Sequence, residues 1–382
     1  MIRNVQKLKS LQNIFPLHDE ISYCFAYGSA VFDQSIQNGN TVNNTPSPPL
    51  PSSKSRMVDL VLAVDDPIRW HRANMSKNWS HYSGLRYFGP KNVANIQRKF
   101  AAKIYYNTLV PIESDLFIKY GIISTEDFLN DLLDWETLYL SGRLHKPILV
   151  LHENIKSNDE QDFSVRNLYN AIELNRHSAL HAALLLLPEK FTEKQLYMTI
   201  ANLSYSGDFR MWFGEDRSKV EKIVWPQMER FRHIYQPLIQ CDRFKNLLRC
   251  SEHQPNDLDW NFEQNYSNNS IQWHLNLLPK TVQLYIGQKW LAENTLRKYT
   301  RNRWHTRKIV HQFDIEDLMH SVASDLEYRR YVERAIQWIV FRSSATQTIK
   351  GFFTAGPTKS IVYSWEKIVK MFKSLPSSSS ST

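Results

Sequence analysis

The sequence predicts an α+β fold, with a mixed α/β unit first and a mostly helical part after it. Three observations predict this. Before residue 155, short apolar runs rich in β-branched and aromatic residues alternate with turn signals, which is the pattern of strands. After Phe163 the apolar residues recur at helical spacing over longer segments. The chain has 382 residues, more than one ordinary domain, and its 42% hydrophobic and 22% charged residues describe a globular protein. We divide it at 1–160, 161–300 and 301–382.

The first strand lies in Tyr23–Phe32, YCFAYGSAVF, and runs into Gly28-Ser29. The second lies in Met57–Asp66, MVDLVLAVDD, with Asp59 near its start and Asp65 and Asp66 at its end. Residues 38–56 between them are rich in Pro, Ser and Asn, which predicts a disordered insert. Asp66-Pro67 is a helix start, with Asp as N-cap and Pro at the first helical position. His71 and His81 follow in an aromatic segment, and packed, hydrogen-bonded imidazoles are expected there instead of a metal pair. Residues 100–110 and 116–123 read as strands. Ser124–Ser141 reads as a helix opened by Ser124 with Asp127 and closed by Gly142. Arg143, His145 and Lys146 precede a strand, PILVLHEN. Helices are expected at 164–187, 192–204 and 217–240, with a tight turn at Ser206-Gly207-Asp208. Residues 251–272 are polar and predict irregular structure, and helices resume near 279.

A strand that ends in Gly-Ser beside a strand that carries an aspartate suits transfer of a nucleotidyl group. The Gly-Ser turn lets backbone N–H groups and a hydroxyl reach a triphosphate. An aspartate can hold the divalent metal that bridges the phosphates. Asp59 is the stronger ligand candidate, because Asp65 stands roughly 20 Å away along an ideal strand. Both could hold one metal pair only if the chain bends. Lys146, at a strand entrance, is either a phosphate contact or a solvated loop charge.

The net charge of +9 calls for an anionic partner: a nucleotide, a nucleic acid or an acidic lipid surface. The three cysteines, Cys24, Cys241 and Cys250, form no CxxC pair, which argues against a disulfide scaffold or a zinc site. No apolar run approaches the roughly 20 residues that span a bilayer. The basic, acid-poor N-terminus is either a targeting helix or an ordinary surface helix. Near the other end, residues 358–373 carry an apolar stripe that includes Trp365 and Phe372, flanked by Lys359, Lys367, Lys370 and Lys373. A basic amphipathic helix of this kind lies on an anionic membrane, or else packs on the domain.

These residues resemble one family. YGSAVF, MVDLVLAVDDPIRWHRANMSKNWSHYS, IKYGIIS with the segment to SGRLHKP, LLPEKFTEKQLYMTIANLSYSGDFRM, GEDRSKV and KGFFTAG stand in its order. The chain is similar to the mitochondrial translocator assembly and maintenance proteins, which are phosphatidate cytidylyltransferases. It departs from their pattern in the insert before Met57, in Ala30 where the family usually has Gly, and in Val61 where generic sites have a second aspartate.

The resemblance implies a nucleotidyltransferase-fold domain, a winged-helix-like helical domain and a C-terminal membrane-contacting part. It implies an enzyme that joins CTP and phosphatidic acid to give CDP-diacylglycerol on the path to cardiolipin. It would act peripherally on the matrix side of the mitochondrial inner membrane. Tyr27, Gly28, Ser29 and Lys146 would bind nucleotide, with Asp59, Ser29 and Lys146 catalytic. Asp59, Asp65 and Asp208 would hold Mg2+. No nucleic-acid partner is expected on this reading. Two rivals remain: a nucleic-acid nucleotidyltransferase, and a non-catalytic membrane-bound assembly factor with a degenerate site.

Overall fold

A computed structural model describes residues 11–32, 56–154, 163–213, 218–242, 244, 247–250, 260–294 and 314–355. The expected amphipathic helix at 358–373, and the insert except for its last residue, lie outside them.

Five strands form one mixed sheet: β1 (Ile21–Tyr27), β2 (Arg56–Val64), β3 (Tyr105–Pro111), β4 (Leu116–Ser124) and β5 (Leu149–Glu153), in the order β3-β4-β2-β1-β5. β2 pairs antiparallel with β1 and parallel with β4, and the remaining pairs are antiparallel. A parallel pair needs a long crossover. Here the crossover carries helices α1 (Pro67–Lys77) and α2 (Gly89–Lys99). β2 is apolar on both faces because both are covered. Val58, Leu60, Leu62 and Val64 pack with Trp70 and Met75 of α1 and Val93 of α2. Val61 and Ala63 face the other way, toward Phe128 and Leu132 of α3 (Thr125–Asp134) and Leu168 and Ile172 of α4 (Phe163–Leu186). By strand alternation, Asp59 faces the α3 side.

Asp66 caps α1, accepting hydrogen bonds from the Ile68 and Arg69 N–H groups at 2.9 and 3.1 Å. His71 is packed as expected. Its Nδ1 lies 2.8 Å from the Tyr82 hydroxyl and its Nε2 2.8 Å from Gln97 Oε1. His81 bonds the Tyr120 hydroxyl at 2.9 Å.

The second half holds a three-stranded antiparallel sheet, β6 (Lys190–Thr192), β7 (Leu248–Cys250) and β8 (Asn261–Gln264), ordered β6-β8-β7. Helices α5 (Glu193–Asn202), α6 (Met228–Ile239), α7 (Asn268–Asn276), α8 (Lys280–Asn294), α9 (Ile315–Ala323) and α10 (Tyr328–Ala355) accompany it. One core joins Leu180 of α4, Phe231 of α6, Ile286 of α8 and Val332 of α10, so α9 and α10 complete the helical half. Among the described residues, no helix is long and apolar enough to cross a membrane.

Three elements differ from expectation. Residues 251–272 are not wholly irregular: Asn261–Gln264 is the central strand of the small sheet, and α7 begins at Asn268. The strand expected from residue 100 begins at Tyr105, after a turn in which Ala101 and Lys103 have positive φ. The helix expected over 124–141 stops at Asp134, where Trp135 turns left-handed (φ 52°). Asp131 is the cause. Its carboxylate, 4% exposed, accepts from the backbone N–H groups of Thr137, Leu138, Leu140 and Ser141 and from two hydroxyls, all within 3.2 Å. That ring of donors competes with further helix. Gly142 therefore lies inside a later helical turn, Ser141–Leu144. A β-carbon there would stand 2.3 Å from the Ser204 Cβ, so close packing explains this glycine better than capping.

Candidate active site

The site forms where β1 ends beside the start of β2. Tyr27 and Asp59 are register partners across the antiparallel pair. Gly28 follows with φ 89°, a conformation that disfavours a side chain. The carbonyl of Gly28 accepts from the Val31 and Phe32 N–H groups at 3.1 and 3.0 Å, which closes the turn and leaves Ser29 exposed. A β-carbon on Gly28 would lie 3.5 Å from Asp59 Oδ2, so the turn abuts that carboxylate. The sequence-predicted Tyr27, Gly28, Ser29 and Asp59 are thus adjacent.

Lys119 of β4 is the register partner of Asp59 across the parallel pair. Its Nζ is 3.6 Å from Asp59 Oδ1 and 4.6 Å from the centre of the Tyr106 ring. The Arg143 guanidinium sits 4.0 Å over Tyr139 and 5.1 Å from the Tyr27 ring, and it donates to the Tyr139 carbonyl. Burial disfavours that charge, but the nearby phenol groups of Tyr27, Tyr106 and Tyr139 hold its pKa well above the ordinary value. Burial pushes the Tyr139 phenol up, yet the Arg143, Arg210 and Lys119 cations outweigh it and bring it down to about 8.

Lys146 enters from the helical side of this cluster. Its Nζ donates to the Gly142 carbonyl and, at 2.7 Å, to Ser204 Oγ, and it lies 5.0 Å from the Tyr205 ring. Burial, then Arg143 and Lys219, hold its pKa well below the usual lysine value, while Asp208 opposes them. Lys219 reaches the same Tyr205 ring at 5.4 Å. Asp208, 2% exposed, binds the guanidinium of Arg210 through both oxygens, the shortest contact being 2.6 Å.

Asp65 is not brought to this site. It lies just beyond the far end of β2 and accepts from the Thr125 hydroxyl at 2.8 Å and from the Ser22 hydroxyl. That joins β1 to the start of α3. The bend that would have let Asp65 share a metal with Asp59 is absent, because β2 pairs with β4 in unbroken register from Arg56 to Val64. Among the described residues, no group of three or more His, Cys, Asp or Glu side chains could hold a metal ion by itself.

Sequence reading missed Lys119, Tyr106, Tyr139 and Arg210. Lys119 had a signal: it shares a strand face with Gly121 and Ile123, an inward position where a lysine needs a reason. Arg210 had a weaker one in SGDFR, and the two tyrosines had none beyond aromatic content.

The arrangement offers one partly exposed carboxylate beside a small turn, ringed by lysine, arginine and phenol groups. It can bind a polyphosphate, neutralise it and present an adjoining metal ligand. A family described as "Phosphatidate cytidylyltransferase, mitochondrial" matches residues 9–370. Curated proteins of that same description are similar over nearly the whole chain. One from Danio rerio is 40% identical over 94% of this chain and 93% of its own. One from Xenopus laevis is 38% identical over 97% and 95%, and one from Caenorhabditis briggsae is 39% identical over 97% and 100%.

Proposed function

The chain belongs to the mitochondrial phosphatidate cytidylyltransferase family, and we propose that it performs the reaction this name describes, at the site built on Asp59. CTP and phosphatidate give CDP-diacylglycerol and pyrophosphate. A phosphate oxygen of phosphatidate forms a bond to the α-phosphorus of CTP. The bond from that phosphorus to the bridging oxygen of the β-phosphate breaks, and pyrophosphate leaves with the electron pair. The nucleophile is already anionic, so the protein's work is positioning and charge neutralisation, not proton removal.

Gly28 and Ser29 supply the turn that receives the β- and γ-phosphates. Lys119, Arg143 and Lys219 supply positive charge around it, Lys146 adds an N–H donor on the helical side, and Tyr27 supports Arg143. Asp208 fixes Arg210 through its bidentate pair, and so contributes by holding a cation in place. The donor set fits Mg2+ in one way: Asp59, partly exposed beside the turn, would hold it as the single protein carboxylate. Mg2+ bound there would neutralise charge on the triphosphate and on departing pyrophosphate. Asp65, engaged with Ser22 and Thr125, has no part in this scheme.

The finer architecture belongs to the same proposal. The mixed sheet with its Gly-Ser turn and aspartate supports a nucleotidyltransferase fold at 1–160. The small three-stranded sheet among helices supports a winged-helix-like domain after it, beginning near 161. The relatives' names support a mitochondrial location, and a peripheral place on the matrix side of the inner membrane, ahead of cardiolipin, is our own extension of that reading. A lipid acceptor, not a nucleic acid, is the partner on this reading.

The contact of the Gly28-Ser29 turn with Asp59 carries the proposal. The test is CTP-dependent formation of CDP-diacylglycerol by the purified protein and by Asp59→Asn. Loss of about a hundredfold or more in turnover is expected from removing such a group. Equal product from both proteins refutes the assignment and favours the non-catalytic reading.

A further inference from the structure

The sheet edge beyond β3 carries an apolar groove away from the Asp59 site. It lies between α2, with the turn after it, and the end of α10, and its volume is about 370 Å³. Leu85, Ile96, Phe100, Ile349 and Phe353 line it, and almost all of its wall is hydrocarbon. Lys350 also borders it. That ammonium donates to the Gln97 and Phe100 carbonyls at 2.9 Å each, so its hydrogen bonds close the end of α2 and do not point to a ligand phosphate. The groove is therefore built for a chain of methylenes and not for a headgroup.

Its rim is unusually apolar for a surface in water. Phe353 is 69% exposed, Ile349 61% and Phe100 60%. Next to Leu85, Arg86 lies 5.2 Å from both the Trp79 and Tyr87 rings, and both rings are exposed. Aromatic rings with a polar edge suit the headgroup layer of a bilayer. α2 supplies Lys91 and Lys99, both exposed, and no acidic residue, which complements an anionic surface. The phosphatidate reaction supplies the reason for such a face, since its acceptor resides in a bilayer.

We propose that this groove takes an acyl chain of a bilayer glycerophospholipid and seats the enzyme on the membrane by the β3 edge. The substrate's own phosphate is not held here. The groove's walls meet the sheet near Ser124, where Arg98 of α2 pairs with Asp127 and Gln347 of α10 accepts from the Ala102 N–H, whereas Asp59 stands beside Lys119, five residues earlier along β4. The proposal rests on the catalytic reading only for the need to meet a membrane.

The test uses the full chain and phosphatidylcholine vesicles containing one-fifth phosphatidylglycerol, with a photoreactive acyl chain on the phosphatidylcholine. Labelling is expected in the peptides that hold Ile96–Phe100 and Ile349–Phe353. An Ile349→Glu, Phe353→Glu double variant should partition onto these vesicles about tenfold more weakly, because two exposed apolar groups that would enter the acyl layer become charged. Its turnover of a water-soluble short-chain phosphatidate should match that of the parent. Label found only elsewhere, or unchanged partition, overturns the proposal. So does labelling of the groove peptides only after residues 356–382 are removed, which would make that segment the occupant. No turnover by the parent itself would count against the catalytic reading, and the labelling result would still stand or fall separately.

Discussion

Gly207→Ala is a sharp test of how the site is held. Gly207 has φ 85°, and its turn carries Asp208 and so Arg210. A β-carbon there would stand 2.5 Å from the Gln337 carbonyl oxygen and 2.8 Å from the Gln337 Cα, both backbone of α10. A left-handed alanine costs about 1–2 kcal/mol. Overpacking against groups that cannot rotate away costs a further ~1–3 kcal/mol. The sum, about 2–5 kcal/mol, is large against the ~5–15 kcal/mol that keeps a protein folded, yet does not exceed it. A melting temperature lower by roughly 4–20 °C is expected, at about 2–4 °C per kcal/mol. The turn must also shift to relieve the contact, and Arg210 shifts with it. Displacement of a positioning group by about 1 Å costs on the order of a hundredfold in rate. The assay pairs a thermal melt with CTP turnover. Gly351→Ala is the control, since nothing lies within 4 Å of its β-carbon position and its φ is not positive. That change should stabilise α10 by about 0.5–1 kcal/mol. A Gly207→Ala protein that melts within about a degree of the parent and turns over normally would refute the reasoning.

Other outcomes follow from the same geometry. Asp65→Ala should lower stability by about 1–2 kcal/mol through two lost hydrogen bonds, while its turnover stays near that of the parent. Abolished turnover in a folded Asp65→Ala protein would restore Asp65 to the metal site. Lys119→Met should raise the KM for CTP about tenfold or more and leave the far-ultraviolet circular dichroism unchanged, and an unaltered KM would remove Lys119 from phosphate binding. His71 is fully buried, and burial lowers its pKa from about 6.5 to about 4, partly offset by Gln97. The unfolded chain then takes up a proton first on acidification. His71 therefore withdraws stability as pH falls from about 6.5 to about 4, in total about 3 kcal/mol. Urea unfolding of His71→Leu across that range should show a slope shallower by nearly one proton, and an identical slope would show that the imidazole is not held neutral.

Much of the first half was legible because one-dimensional patterns decided it. From Met57 onward β2 is apolar except for Asp59, so both its strand character and the placement of Asp59 could be read. Asp66-Pro67 specified the start of α1 because capping and a fixed proline φ act within a few residues. What could not be read depends on partners distant in sequence. Phe262 is the one strongly apolar residue in β8, and Gln264 is fixed there by donating to the Leu184, Leu187 and Pro188 carbonyls, which the chain reaches only after folding. Lys119 looks like a surface charge until β4 is laid beside β2. Tyr139 and Arg143 fall in a stretch whose helical periodicity continues past Asp134, and only the Asp131 carboxylate redirects it.

That carboxylate also bears on the order of folding. Its six donors lie between six and ten residues further along the chain. Contacts this local close small loops, and small loops form fast and at little entropic cost. The arm that presents Tyr139 and Arg143 can thus take its shape before the five-stranded sheet has found its long-range pairings. β1 and β2, in contrast, must meet across the whole insert before the Gly28-Ser29 turn abuts Asp59. Locality thus favours early closure of the arm that carries Tyr139 and Arg143 over the pairing of β1 with β2.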